Sequence, residues 1–169
     1  MHEKEPMTKI TYQKLSCELE NLKTVERAKV AKEIEEARDL GDLKENAEYH
    51  AAKDKQGLME ARIVELQDLT SRAMVIDPST LAHERVSFGS TVELVDTQSN
   101  EEVSYTIVGA NESNPNKGLI SIKSPLAKVL LGKVAGDNVT IILPSSKKNF
   151  DIEEVYYKEI VLHLSLIHI

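Results

Sequence analysis

Residues 37–48 read ARDLGDLKENAE, and the pair Gly41-Asp42 inside that run decides how the N-terminal half folds. On both sides of it the chain is built for helix. From Thr8 to about Met74 there is no proline, only Gly41 and Gly57 interrupt, and Ala, Leu, Glu and Lys dominate. Apolar residues recur at three- and four-residue steps: Leu15, Leu19, Leu22, Val30, Ile34 and Ala37 before the break, then Met59, Ile63, Leu66 and Ala73. So narrow a stripe suits a coiled coil. An unbroken helix over this length would need a partner chain to cover its stripe, whereas a break lets the two arms cover each other. Gly41 supplies the break, because glycine takes the left-handed conformation that ends helices. Asp42 then reads as the N-cap of the second arm, and Glu45, three residues on, completes an Asp-x-x-Glu capping box. Each arm of about 30 residues spans on the order of 45 Å at 1.5 Å per residue, with Asp39 to Glu48 as the tip. The stripe falters at Glu26 and Arg27, where a charged pair occupies the expected core position, so the first arm is expected to be irregular there.

After Asp77-Pro78-Ser79 the pattern changes. Gly, Pro, Asn and Ser punctuate short runs rich in Val, Ile, Thr and Tyr, which read as strands over 91–96, 103–108, 119–121, 139–143 and 150–157. A short helix or turn is expected over 125–131. The chain is therefore α+β: a helical hairpin over 1–76 and a β-sheet domain over 77–160. The last residues break the pattern again. As a plain continuation, 161–169 would be an edge strand, but LSLIHI at 164–169 resembles the translation of a transposase-end adapter used in sequencing libraries. Residues 161–169 are read as an artefactual or disordered tail, and His163 and His168 are not taken as metal ligands.

Composition removes whole classes of function. With 169 residues, 41% apolar and 29% charged, the chain has material for a folded core in one domain or two small ones. The net charge of −7 divides into −3 over residues 1–76 and −4 over 77–169, so a broad phosphate-neutralising surface is excluded. Any nucleic-acid contact is local or made through a partner. The single cysteine, Cys17, excludes a disulfide framework and a cysteine-cluster zinc site and fits a reducing cytoplasm. No run approaches the roughly 20 apolar residues of a membrane span, and the start MHEKEPMTK lacks the apolar region of a signal peptide. No phosphate-loop, dinucleotide or nucleophile-elbow motif is present. Cys17 lies between Leu15 and Leu19 and reads as packing. His50 has no second histidine at metal-ligand spacing.

What remains is acidic: Asp39, Asp42, Glu45 and Glu48 at the end of a projecting rod. Asp42 and Glu45, three apart at a helix start, share one face. Hard oxygens so placed suit one edge of a Mg²⁺ ion, but two carboxylates leave an octahedral ion incomplete, and the rest would come from a partner. Read as a capping box, the same pair needs no metal. Spacing leaves both open.

The stretch ARDLGDLKENAEYHAAKDKQ, 37–56, resembles the tip signature of the GreA-type transcript cleavage factors of bacterial RNA polymerase. LISIKSPLAKVLLGKVAGDNV, 119–139, resembles the C-terminal signature of the same GreA/GreB family, and the likeness covers about residues 7–158. It implies an N-terminal antiparallel coiled-coil hairpin followed by a C-terminal FKBP-like antiparallel β-sheet domain with a short helix. It also implies a transcription elongation factor that rescues arrested complexes. The globular domain docks at the polymerase secondary channel, and the hairpin enters it to stimulate cleavage of backtracked RNA. Carried onto this chain, Asp42 and Glu45 are the catalytic carboxylates, sharing a Mg²⁺ that the polymerase completes and that this chain does not hold stably alone. Arg38, Lys53 and Tyr49 contact the extruded RNA, and Ser124, Pro125, Leu126, Leu131, Gly132 and Lys133 belong to the docking loop. The implied partners are bacterial RNA polymerase and the nascent RNA 3′ end, with no membrane, for a cytoplasmic monomer that is not itself an enzyme.

Each assignment has a plainer alternative: solvated helix charge for Arg38 and Lys53, packing between the arms for Tyr49, and a Pro-initiated helix closing a β-domain for 124–133. Three readings of the whole chain compete as well. Inhibitory paralogues differ at the tip, whereas GDLKEN here matches the cleavage-competent pattern. A peptidyl-prolyl isomerase or chaperone rests on fold analogy, and two Phe with no Trp leave little for an aromatic pocket. A plain adaptor would use its carboxylates as caps only. Within the family, the net −3 of the hairpin half favours GreA-like release of short fragments over GreB-like behaviour.

Overall fold

A stripe repeating every seven residues would carry Leu15, Leu19 and Leu22 on to Lys29 and Glu33, yet the apolar residues come at Val30 and Ile34. The computed structural model, which describes residues 3–42 and 46–162, contains a place for the extra residue. Helix α1 (Lys9–Asn21) runs into one π-helical turn, Leu22–Glu26, and continues as α2 (Arg27–Arg38). The Arg27 N–H donates back to the Leu22 carbonyl, five residues away, and the wider turn shifts the following face by one position. Val30, Ile34 and Ala37 are buried, Arg27 is exposed and Glu26 only half-buried. The irregularity expected at Glu26 and Arg27 is this turn and its edge.

Helix α3 (Ala47–Arg72) returns antiparallel to α2. Val30, Ile34, Ala52, Met59 and Ile63 make the seam, with Leu19, Leu22 and Tyr49 packed on it. Ion pairs flank it: Arg62 forks onto Glu18 at 2.6 and 3.0 Å, Arg27 onto Glu60 at 2.9 and 2.9 Å, and Lys55 reaches Glu33 at 3.1 Å. The hydrogen bonds from Arg27 hold the Glu60 carboxyl below its ordinary range. Exposed pairs of this kind add little stability singly, so their role is to set the register of the arms.

Residues Tyr12–Arg72 form one compact unit, and residues 3–11 join 73–162 in the other. By contacts, the N-terminal segment ahead of the hairpin thus packs with the sheet unit. The reason is a parallel pair that the sequence pattern did not reveal: β1 (Glu5–Met7) beside β2 (Ala73–Val75). Five further strands follow: β3 (Thr91–Asp96), β4 (Glu102–Val108), β5 (Leu119–Ser121), β6 (Asn138–Ile142) and β7 (Lys147–Tyr156). Their order is β5-β4-β3-β7-β6. The sheet is mixed rather than wholly antiparallel, because β5 runs parallel to β4, the connection passing through two short 3₁₀ turns instead of a hairpin. Alternate residues Val92, Leu94, Ile107, Val139, Ile141, Phe150 and Ile152 point to one face and are covered by α4 (Pro125–Leu130) through Ala127 and Leu130. Residues 163–169 lie outside the described residues, and with them most of the expected tail. Among the described residues no helix is long and apolar enough to cross a membrane.

Beyond the β1–β2 pair, a buried carboxylate ties the N-terminal segment to the sheet unit. Glu112 accepts from the Thr8 N–H (3.2 Å), the Thr8 hydroxyl (2.6 Å), the Thr11 hydroxyl (2.5 Å) and the Gly109 N–H (2.9 Å). A buried charge is tolerated when its lone pairs are so filled. Gly109 permits the approach, since a Cβ there would lie 2.3 Å from the Pro6 carbonyl oxygen and 2.9 Å from Glu112 Oε1.

Gly109→Ala is expected to cost about 1–3 kcal/mol by forced displacement. Gly57→Ala, in mid-helix with open space at its Cβ, is expected to stabilise by roughly 0.5–1 kcal/mol. Urea unfolding followed by circular dichroism checks both signs. On the solvent face of the sheet the Tyr156 hydroxyl donates to Glu93 Oε1 at 2.6 Å. That bond, together with desolvation and the charges of Glu93 and Glu154, pushes the phenol up to about 12. Its contribution to stability is complete below the ordinary value of 10.0 and is lost as pH rises through about 12. Absorbance titration at 295 nm should show one of the five tyrosines ionising late in wild type and near the ordinary value in Glu93→Gln.

Candidate functional site

The first arm ends in a tightening turn. Asp39 N–H donates to Glu35 O at 3.3 Å, but Leu40 and Gly41 reach back only three residues, to Ala37 O (3.2 Å) and Arg38 O (3.4 Å). Gly41 then takes φ +127°, the left-handed region, as the break requires. The second arm does not start at Asp42. Helix α3 begins at Ala47, and the residue that caps it is Asn46. The Asn46 carbonyl accepts from His50 N–H (3.1 Å), and its side-chain Oδ1 accepts from Tyr49 N–H (3.0 Å), the geometry of an N-cap. The Asn46 Nδ2 donates across to the Ala37 carbonyl at the end of the first arm. The N-cap of α3 is thus Asn46 rather than Asp42; an amide can cap and donate at once, which a carboxylate cannot. Glu45 lies outside the described residues.

Around this turn the structure gathers some of the expected site and not the rest. The Arg38 guanidinium lies 5.9 Å from the centre of the Tyr49 ring. Tyr49 is half-buried against the hairpin seam, and its ring lies steeply inclined to that of His50, with centres 5.6 Å apart. Lys53 is exposed one turn further along the same face and donates to Gln56 Oε1 at 2.9 Å. Asp42 is exposed. Among the described residues no three His, Cys, Asp or Glu side chains group as they would to hold a metal ion. The donor chemistry at the tip, carboxylate oxygen, suits Mg²⁺, and Asp42 alone among the described residues stands where the sequence places a ligand.

The expected docking residues share one short segment. The Ser124 hydroxyl accepts from Ala127 N–H (3.2 Å) and caps α4, whose first residue is Pro125. Leu126 and Leu131 pack against the sheet core. Gly132, at φ +82°, and Lys133 exchange backbone bonds with Val86 at 2.9 and 2.8 Å. Pro125, Gly132 and Lys133 are exposed, while the leucines seat the segment. Sequence reasoning missed Asn46, although an N-cap residue type directly before the run AEYHAA was a usable signal. It also missed Glu112, for which a single acidic residue in a polar loop carries no signal at all.

Two family comparisons agree with this architecture. Residues 5–75 match the family described as Transcription elongation factor, N-terminal, and residues 81–157 match Transcription elongation factor, GreA/GreB, C-term. The chain belongs to the GreA/GreB family of transcription elongation factors. It is 68% identical over 160 residues to the transcription elongation factor GreA of Sulfurovum sp. (strain NBC37-1), covering 95% of this chain and 99% of that one. It is 61% identical over 160 residues to that of Nautilia profundicola, at 95% and 98% coverage. Of solved structures, that of the transcription factor Gfh1 is 31% identical, covers 92% of this chain and 99% of that chain, and has a TM-score of 0.44.

Because Asn46 carries the cap, Asn46→Ala should destabilise the hairpin by about 1–2 kcal/mol, and Asp42→Asn by well under 1. Thermal unfolding of the two variants beside wild type tests that order.

Proposed function

We propose that this chain acts in the cytoplasm, as a monomer, on a bacterial RNA polymerase whose RNA 3′ end has backed into the secondary channel. The hairpin enters the channel and stimulates the polymerase's own endonucleolytic cleavage, releasing short fragments and freeing the arrested complex. The observation that carries this reading is the tip itself: Asp42 is exposed past the end of the first arm, and the second arm is capped by Asn46 instead.

In this reading the carboxylate oxygens of Asp42 and Glu45 hold one edge of a Mg²⁺ whose remaining ligands come from the polymerase and the RNA. That ion, when bound, favours hydroxide over water as the attacking group. The chain's other residues position and neutralise. Arg38 and Lys53 draw the phosphates of the extruded RNA toward the tip, adding affinity without sequence preference. Tyr49, fixed by the seam behind it and by Arg38 beside it, offers a ring edge against which a displaced base rests. Pro125, Gly132 and Lys133 make the contact at the channel entrance, on a segment seated by Leu126 and Leu131 and started by the Ser124 cap. The factor lends groups to a shared site, and its own acidic surface is no obstacle, because the phosphates are held mainly by the polymerase.

Cleavage by a purified, backtracked polymerase in Mg²⁺ tests this, with wild type, Asp42→Asn and no factor compared and polymerase binding measured in parallel. Wild type should accelerate release of short 3′ fragments, and Asp42→Asn should bind equally and lose at least tenfold in rate, the scale of a misplaced or missing reacting group. A wild type that binds without stimulating cleavage would sink the reading.

A further inference from the structure

Among the described residues, the Asn46 side chain spans the tip turn. Asn46 Oδ1 takes the Tyr49 N–H, so its Nδ2 must face the other way, where it meets the Ala37 carbonyl. The orientation of the amide is forced, because a backbone N–H needs the oxygen and a carbonyl needs the nitrogen. The two bonds join the last buried residue of the first arm, Ala37, to the first turn of the second. Between them lie the eight residues 38–45, which include Arg38 and Asp42. The Tyr49 whose N–H is capped is the same residue whose ring receives Arg38.

We propose that Asn46 is a positioning residue for the reaction assigned above: a clasp that holds both ends of the tip segment together, so that Asp42 and the Arg38–Tyr49 pair are presented in one fixed arrangement. This rests on the proposed function of Asp42 and goes beyond it. The physical reason is preorganisation. Closing an eight-residue segment costs chain entropy, and a bond across its base meets that cost before the factor meets its target rather than during the reaction. Asparagine suits the position because one group must accept and another donate at the same reach. Aspartate caps a helix but carries no hydrogen to donate to Ala37, and serine caps through a single hydroxyl oxygen that lies one bond short of the position of the Asn46 nitrogen, so it does not span to Ala37 while held by Tyr49.

Asn46→Ser and Asn46→Asp separate the clasp from the cap. Hydrogen exchange should find the Tyr49 amide still protected in both, as the cap survives, with faster exchange over residues 38–42. In the cleavage assay their half-saturating factor concentration should match wild type, since the docking segment is untouched, while the maximal rate falls about tenfold or more. A purely structural role for Asn46 would leave the maximal rate unchanged in these capped variants. Variants that cleave at the full wild-type rate, with wild type active and Asp42→Asn inactive, overturn the clasp alone. A wild type without stimulation overturns the proposed function and the clasp with it.

Discussion

A helix with a narrow apolar stripe and no partner leaves that stripe in water, and most of the hairpin follows from covering it. The arms can bury Val30, Ile34, Met59 and Ile63 against each other only if the chain reverses and if both stripes stay in phase along the seam. Reversal is achieved at Gly41, whose backbone enters a region closed to most side chains. Phase is the harder requirement. One residue too many between Leu22 and Val30 would turn the outer part of the first arm away from its partner, and the π-helical turn takes up that residue at the cost of a locally poorer helix. Arg27, the first residue after the turn, forks onto Glu60 and ties the corrected register in place.

The sheet unit solves a different problem with a different interaction. Its strands pack an ordinary apolar face, but the segment before α1 has little apolar surface to offer apart from Met7. Glu112 supplies what apolar burial does not: four donors converge on one buried carboxylate, and removal from water strengthens each bond. Such a cluster demands close backbone approach, which is why a residue without a side chain stands at 109.

At the tip these requirements meet the proposed chemistry. A carboxylate that serves as a cap has its oxygens turned back into its own helix, where they are poorly placed to meet a metal or a phosphate. The cap of α3 falls on Asn46, four residues past Asp42. In the segment after β5, Leu126 and Leu131 are turned inward to anchor it, leaving Pro125, Gly132 and Lys133 outward. In both places structural and outward-facing roles fall on neighbouring residues rather than on the same one.

The sequence by itself determined the α+β division, the two helical arms with a break at Gly41, the strands at 91–96 and 119–121, and the irregular place near Glu26. These follow from period and punctuation, which are local properties, and the family signatures at 37–56 and 119–139 are local as well. Only the tertiary structure decided the β1–β2 pair, the parallel placing of β5 and the bond from Asn46 to Ala37. A three-residue strand containing Pro6 is too short to display alternation, and whether β5 runs parallel or antiparallel depends on which edge it reaches. Asn46 caps α3 and makes a second bond, to Ala37, nine residues away. A local pattern cannot register a bond whose partner is brought near only by the fold.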